Sequence, residues 1–518
     1  MGARRSRAAM LAVLLLGMLP LLVTRPAPLQ DWPNHIARMH VLTGLLRHDA
    51  FWMRHYRLVG FLVPDAALDV GMLGLARLGL PIELAAQLFL VVTYLVFVSG
   101  FCALAHALGA FGAAKPGFAV LLFYGNALFW GLVNYVLGIG LLLGLLALWL
   151  DPPAPPRNAA GQPGPADGRR WRRFCIAGAG AVLLLFTHVV AAVAWIVVLG
   201  CFDLCRLRGS GTLALARLAS SASWLVALVA VAALLHALPG AAGHDFSVRY
   251  AGTGVGGFTL RKLGLFGKAL LGGSLSQDAA SLGALLACVV AVAFARPSLA
   301  TPVAVAAAGL ALVTLAAPER VGTGSVLDVR LAILPLLLLA AGMRFRPERL
   351  AMPVVTTAVL ARTVVLAANW HAAGLVFRDF RQQAAGLPAG SVMMVAYGTR
   401  LRLLTWQQVW SPAITSIATQ SVFGDLFVPA LFANPAQQPI ALRPAYAALT
   451  QPWNLTDADH LYATADSLAA LCRSGGFPRV YLTVLYPGGF MPTHAGAALL
   501  HAQPDFLILD ACRLPMGG

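Results

Sequence analysis

Charge is what this chain has least of. Only 11% of its 518 residues are Asp, Glu, Lys or Arg, where soluble domains carry about 25%. With 59% apolar residues beside that scarcity, the composition excludes an ordinary soluble protein and predicts a polytopic α-helical membrane protein. Cysteine is also sparse: the seven present form no C-x-x-C pair, which argues against a thiolate metal site or a redox dithiol. There is no G-x-S-x-G, H-E-x-x-H or Walker sequence. No internal repeat is visible, which counts against transporters built from two related halves. The glycines of residues 252–257 formally match G-x-G-x-x-G, but no strand–helix unit with a downstream acid surrounds them, so no dinucleotide site is expected.

The net charge of +17 sits in short arginine clusters between apolar runs. That is the positive-inside pattern of a membrane protein and not a nucleic-acid-binding surface. Arg4, Arg5 and Arg7 precede the apolar residues 8–23, and no A-x-A site follows, so an uncleaved first span with a cytoplasmic N-terminus is expected. Further spans are predicted near residues 82–107, 116–130, 132–150, 174–188, 189–205, 218–238, 279–295, 299–317, 329–342 and 351–368, about eleven in all. Each loop this order places inside is basic (Lys115; Arg157 with Arg169, Arg170, Arg172 and Arg173; Arg206, Arg208 and Arg217; Arg296; Arg344, Arg346 and Arg349). The first outer loop, 24–81, is arginine-rich too, offset by Asp31, Asp49, Asp65 and Asp69, which suits a surface that meets anionic groups.

Residues 1–369 are therefore read as the membrane domain, with a Pro/Gly-rich cytoplasmic linker at 151–173. Residues 370–518 are read as an extracytoplasmic α/β domain. Strands are predicted at 391–397, 480–486 and 505–510, and helices at 457–472 and 494–502. Cys472 and Cys512 both lie in that domain and can form a disulfide if it is exported.

The candidate chemistry centres on the first outer loop. Asp31, His35 and Arg38 fall at i, i+4 and i+7, one face of a helix. An exported transferase has no access to cytoplasmic nucleotide sugars, so its donor would be a sugar on a polyprenyl phosphate. Such a reaction needs a carboxylate to take the acceptor's proton and cations to stabilise the departing phosphate. Asp31 suits the first role; alternatively, or as well, it caps the helix beginning near Pro33. His35 can bond the substrate or orient Asp31. A metal held by Asp31 and His35 would need further ligands the sequence does not show, so no cofactor is assigned, although a divalent ion remains open. Arg38 can face substrate or lipid headgroups.

Asn134 and Tyr135 can line a cavity, or Gly131 and Gly138 can simply bring two helices close. His188 interrupts a long apolar stretch and is a substrate-binding candidate. Arg330 follows Asp328 at the start of a span, and Arg362 lies inside the last one, so both are candidate phosphate ligands. Lys262 lies in the glycine-rich, cationic loop 239–277, either a lid over the lipid-linked sugar or an interfacial segment. Arg400, Arg402 and residues 486–489 follow strands, where they can bind an acceptor, but ordinary turns are the favoured reading.

A first span, an outer loop opening with an acid in a D-x-P-x-H-type motif (Asp31, Pro33, His35), many spans and a C-terminal exported domain together resemble the GT-C superfamily of membrane glycosyltransferases. That group includes the aminoarabinose transferases and the protein O-mannosyltransferases. A D-E or D-D pair found in some members is absent, Trp32 following Asp31. The resemblance implies that Asp31 is the catalytic base and that Arg330 faces the donor phosphate. It also implies a bacterial inner membrane setting with the C-terminal domain in the periplasm. The expected activity is inverting transfer from a polyprenyl-phosphate sugar to a glycan, lipid or protein acceptor among membrane lipids. The alternative is a transporter or flippase for lipid-linked or anionic substrates.

Overall fold

The computed structural model describes residues 2–150, 166–207, 222–237, 248–250, 254–271, 278–284, 286–287, 298–321, 327–345, 348–398, 412–431, 438–449, 453–454, 468–485 and 498–514. The expected linker core, Arg400, Arg402 and residues 486–489 lie outside these. Helices α1 (Gly2–Val23), α2 (Trp32–Leu46), α3 (Ala50–His55) and α4 (Ala67–Arg77) form the first apolar helix and the long loop after it. The bundle continues with α5 (Ile82–Ala107), α6 (Lys115–Phe123), α7 (Asn126–Phe129), α8 (Val133–Trp149), α9 (Ala166–Thr187), α10 (Val189–Leu207) and α11 (Ser223–Ala237). After these come α12 (Gly254–Lys268), α13 (Thr301–Ala316), α14 (Leu327–Leu331), α15 (Ile333–Gly342) and α16 (Glu348–Ala385). Among the described residues, Ile82–Ala107 and Met352–Ala385 are long and apolar enough to cross a membrane alone, and five shorter apolar helices accompany them.

With no hydrophobic force between helices in lipid, close packing depends on small residues. Helices α5 and α8 meet through glycines: a Cβ on Gly100 would lie 2.1 Å from the Gly140 carbonyl, and one on Gly140 would lie 2.6 Å from Phe97 Cα. Gly138 does the same for α8 and α10, where its Cβ would lie 2.9 Å from that of Ala191. Two buried cations serve the other need of a bilayer, satisfied carbonyls at helix ends. The Lys115 ammonium donates to the carbonyls of Ala340, Ala341 and Met343 at the end of α15. Arg362 does the equivalent for α6, donating to the carbonyls of Leu121, Tyr124 and Leu270.

The C-terminal region carries a five-stranded mixed sheet. Its strands are β4 (Val392–Tyr397), β6 (Trp453–Asn454), β7 (Val480–Leu485), β8 (Leu499–Ala502) and β9 (Phe506–Asp510), in the order β6-β4-β7-β9-β8. Strands β7 and β9 are wholly buried, which is why they read as plain apolar runs. Residues 499–502, expected to be helical, are instead an edge strand. They pair antiparallel with β9 through a bulge between Leu499 and His501 and show alternating exposure. Alanine-rich sequence favours helix only weakly, and a vacant sheet edge outweighs it. Cys472 and Cys512 are disulfide-bonded.

Two features lock this region onto the membrane bundle. Helix α16 runs unbroken from Glu348 to Ala385, past the domain boundary expected at 369. In its last turns it pairs Arg381 with Glu83 at 2.8 Å and Asp379 with His501 at 3.0 Å. In addition, β1 (Tyr56–Leu58) of the first long loop pairs antiparallel with β5 (Ile440–Leu442), and the Tyr56 hydroxyl donates to the Val428 carbonyl; β2 (Val248–Arg249) and β3 (Arg320–Val321) form a separate antiparallel pair.

Candidate active site

Asp31 is the last residue before α2, with Pro33 in the helix's first turn. Its carboxylate makes no capping hydrogen bond, unlike Asp49, which caps α3 by accepting from Phe51 and Trp52. The backbone holds Asp31 in place instead: its N–H donates to the Trp130 carbonyl at 3.2 Å, and the Gln30 N–H donates to Phe129 at 2.9 Å. Gly131 makes this approach possible. It turns the chain at φ +79°, and a Cβ there would stand 2.6 Å from the Asp31 nitrogen.

The other two members of the expected face do join Asp31, though not as headgroup contacts. Arg38 is 1% exposed and grips Asp69 in a two-pronged pair, Nε to Oδ1 at 3.0 Å and Nη2 to Oδ2 at 3.1 Å. The same Nη2 lies 2.9 Å from His35 Nδ1. His35 also bonds the Gly131 carbonyl, and burial together with Arg38 holds its pKa well below the usual range. His35 is thus a neutral strut between Arg38 and the Gly131 turn.

Breaking the Arg38–Asp69 pair leaves a buried carboxylate alone. Arg38→Met should therefore cost about 3–5 kcal/mol, read as a lowered unfolding temperature in detergent. The double variant Arg38→Met/Asp69→Leu should recover most of that loss.

Helix α14 supplies Arg330. Its Nη1 lies 3.1 Å from His188 Nε2, and the Tyr135 hydroxyl donates to its carbonyl. Arg330 Nε is buried and has no hydrogen-bond partner among the described residues. His188 stands in the break between α9 and α10, its Nδ1 3.1 Å from the Val190 N–H. A neutral imidazole has one acceptor nitrogen. Val190 and Arg330 both offer it a proton, so one N–H is left facing another.

Asp65 completes the site. Its carboxylate accepts from the Val189 N–H at 3.2 Å, at the start of α10, and its carbonyl accepts from Asn134. Its backbone is left-handed, φ +64°.

Electrostatics ties these groups together. Burial pushes the Asp31 carboxyl up to about 6, against the opposing pull of Arg330 and then Arg38. Burial pushes Asp65 higher, to about 7, again opposed first by Arg330. Asp69 is raised by burial and restrained by Arg38. Asp31, Asp65, Arg38 and Arg330 therefore share one field, with His35, His188, Asn134 and Tyr135 bracing it. Among the described residues no group of three or more His, Cys, Asp or Glu is placed to hold a metal ion.

The remaining candidates are committed elsewhere. Lys262 pairs with Asp328 at 2.6 Å and donates to the Ala317 carbonyl, fixing α12 against the helix that carries Arg330. Arg362 spans the gap between α6 and residue 270. In the sequence Asp65 and Asp69 are legible only as acids that offset an arginine-rich loop, with no place in a site. The available signal was that an arginine on a membrane-surface helix needs an acid if it is buried.

The chain shares the polytopic membrane fold of ArnT, a GT-C glycosyltransferase. The chain is similar to two solved structures of ArnT from Cupriavidus metallidurans, one bound to undecaprenyl phosphate and one in the apo state, with TM-scores of 0.53 and 0.52. Identity is 12% in both cases, over 99% of this chain and 98% of each of those chains. No model of a protein family matches the sequence, and no curated protein does.

Proposed function

We propose that the chain is an inverting glycosyltransferase that moves a sugar from a polyprenyl-phosphate donor to an acceptor at the extracytoplasmic membrane face. The observation that carries this reading is the Asp31 carboxylate, which caps nothing and yet lies in the field of two arginines. Asp31 takes the proton from the acceptor nucleophile as that atom bonds to the anomeric carbon. The bond from that carbon to the phosphate oxygen breaks on the opposite face, and the lipid phosphate leaves with the electron pair. Arg330 and His188 receive the phosphate: an anionic oxygen between their facing N–H groups relieves the donor conflict. Asn134, Tyr135, His35 and Arg38 position these groups, and Lys262 and Arg362 support the helices around them.

Three further facts support the reading. A fold neighbour was solved with undecaprenyl phosphate bound. The disulfide between Cys472 and Cys512 suits an oxidising compartment. The arginine clustering of the sequence matches the positive-inside pattern expected of such a topology.

The test is transfer of labelled sugar from a synthetic polyprenyl phosphate in proteoliposomes, followed against pH. A base must be ionised to act, so kcat should climb about tenfold per pH unit below about 6 and level off above it. Stability should move the opposite way. A carboxyl whose pKa is raised on folding favours the folded state below its unfolded value near 4, and that contribution is lost as pH rises through about 6. A pH-independent rate, or no transfer at any pH, would overturn the proposal.

A further inference from the structure

We infer that the C-terminal region is a working part of the active site, and that Ser416 and Gln420 are positioning residues that hold the Asp31 loop in register. The inference rests on the transferase reading above for its kinetic part and on geometry for the rest. Residues Pro412–Gly424 form a 3₁₀ segment lying against α2. The Ser416 hydroxyl donates to the Gln30 carbonyl, and Gln420 Nε2 donates to the Pro33 carbonyl at 2.7 Å. These two carbonyls bracket Asp31 and Trp32. On its other side the loop is held by the Phe129 and Trp130 carbonyls, so it is gripped from two independent parts of the chain.

The Gln420 bond is not needed to satisfy a lone carbonyl, because a first-turn helical carbonyl already has the amide four residues on. Moreover, Gln420 is 1% exposed, and its Oε1 has no partner among the described residues. An apolar side chain of the same length would fill that space without stranding a polar atom. What the amide supplies is direction. Among the described residues Asp31 has no side-chain hydrogen bond of its own, so its carboxylate points wherever the backbone of residues 30–33 sends it. The grip runs back into the sheet: the Phe427 N–H donates to the Ser391 carbonyl and the Met393 N–H to the Phe427 carbonyl, both at 2.9 Å. The chain of contacts therefore passes from β4 through residue 427 and the 3₁₀ segment to the catalytic loop.

The experiment compares wild type, Gln420→Met, Ser416→Ala and Ser416→Thr in detergent and in proteoliposomes. Amide hydrogen exchange of residues 29–38 should rise about tenfold in Gln420→Met while that of α5 stays unchanged, which reads the grip without relying on turnover. In the transfer assay kcat should fall about 10- to 100-fold with donor KM within about twofold, as expected of a misaimed base and not of lost binding. Ser416→Thr, which keeps the hydroxyl, should recover what Ser416→Ala loses. Unchanged exchange over 29–38, or kcat and KM that both stay at wild-type values in Gln420→Met, would overturn the inference and leave the transferase reading standing. Raised exchange in a protein whose wild type transfers no sugar would overturn the transferase reading instead and leave the grip established.

Discussion

Asp31→Asn should lower transfer by about 10²–10⁴-fold, the usual range for removing a general base, while leaving the protein at least as stable as wild type. The two halves of that expectation come from the same observation. The carboxylate makes no capping bond, so the fold loses nothing when an oxygen becomes an amide. Burial has lifted its pKa to about 6, so at pH 7.5 the wild type carries a disfavoured buried charge that asparagine removes. The acid limb of the pH–rate profile should disappear along with the base. Initial-rate assays of both proteins between pH 5 and 8, paired with thermal unfolding, check all three points. Wild-type transfer by the variant would sink the role of Asp31 as base, whereas a carrier for lipid-linked or anionic cargo would move that cargo in both proteins and transfer sugar in neither.

Arg330→Gln should be nearly as damaging but with a different signature. Loss of a cation opposite a developing phosphate charge commonly costs about 10²–10³-fold, here expected in kcat/KM for the donor. Arg330 is also the largest influence holding the Asp31 pKa down against burial. Without it the carboxyl should titrate higher, and the acid limb of the surviving activity should move to higher pH. Arg330→Lys should rescue only in part, since an ammonium cannot reproduce the fork that reaches towards His188 while its own Nε stays buried. A variant that lost activity with its pH profile unmoved would place Arg330 outside the field of Asp31.

Much of the bundle was legible because hydropathy and lipid thickness impose it. The segment expected at 82–107 is helix α5 residue for residue, and the apolar runs near 392, 480 and 506 are buried strands. The face shared by Asp31, His35 and Arg38 followed from helical spacing alone. What stayed hidden were partnerships distant in sequence. The burial of Arg38 depends on Asp69, 31 residues on, and the tie from Gln420 to Pro33 spans 387. No local pattern encodes either. The same distance hides what Arg362 does in the bundle, where its guanidinium donates to the carbonyls of Leu121 and Leu270, far off in sequence. The extent of α16 was masked by composition, because its polar last turns look like the start of a separate domain.

That helix has a mechanical implication. Thirty-eight residues in one α-helix make a shaft about 57 Å long that ends in the ties to Glu83 and His501. Any hinge between bundle and sheet would have to bend that shaft or part those ties, so the two should tilt as one piece.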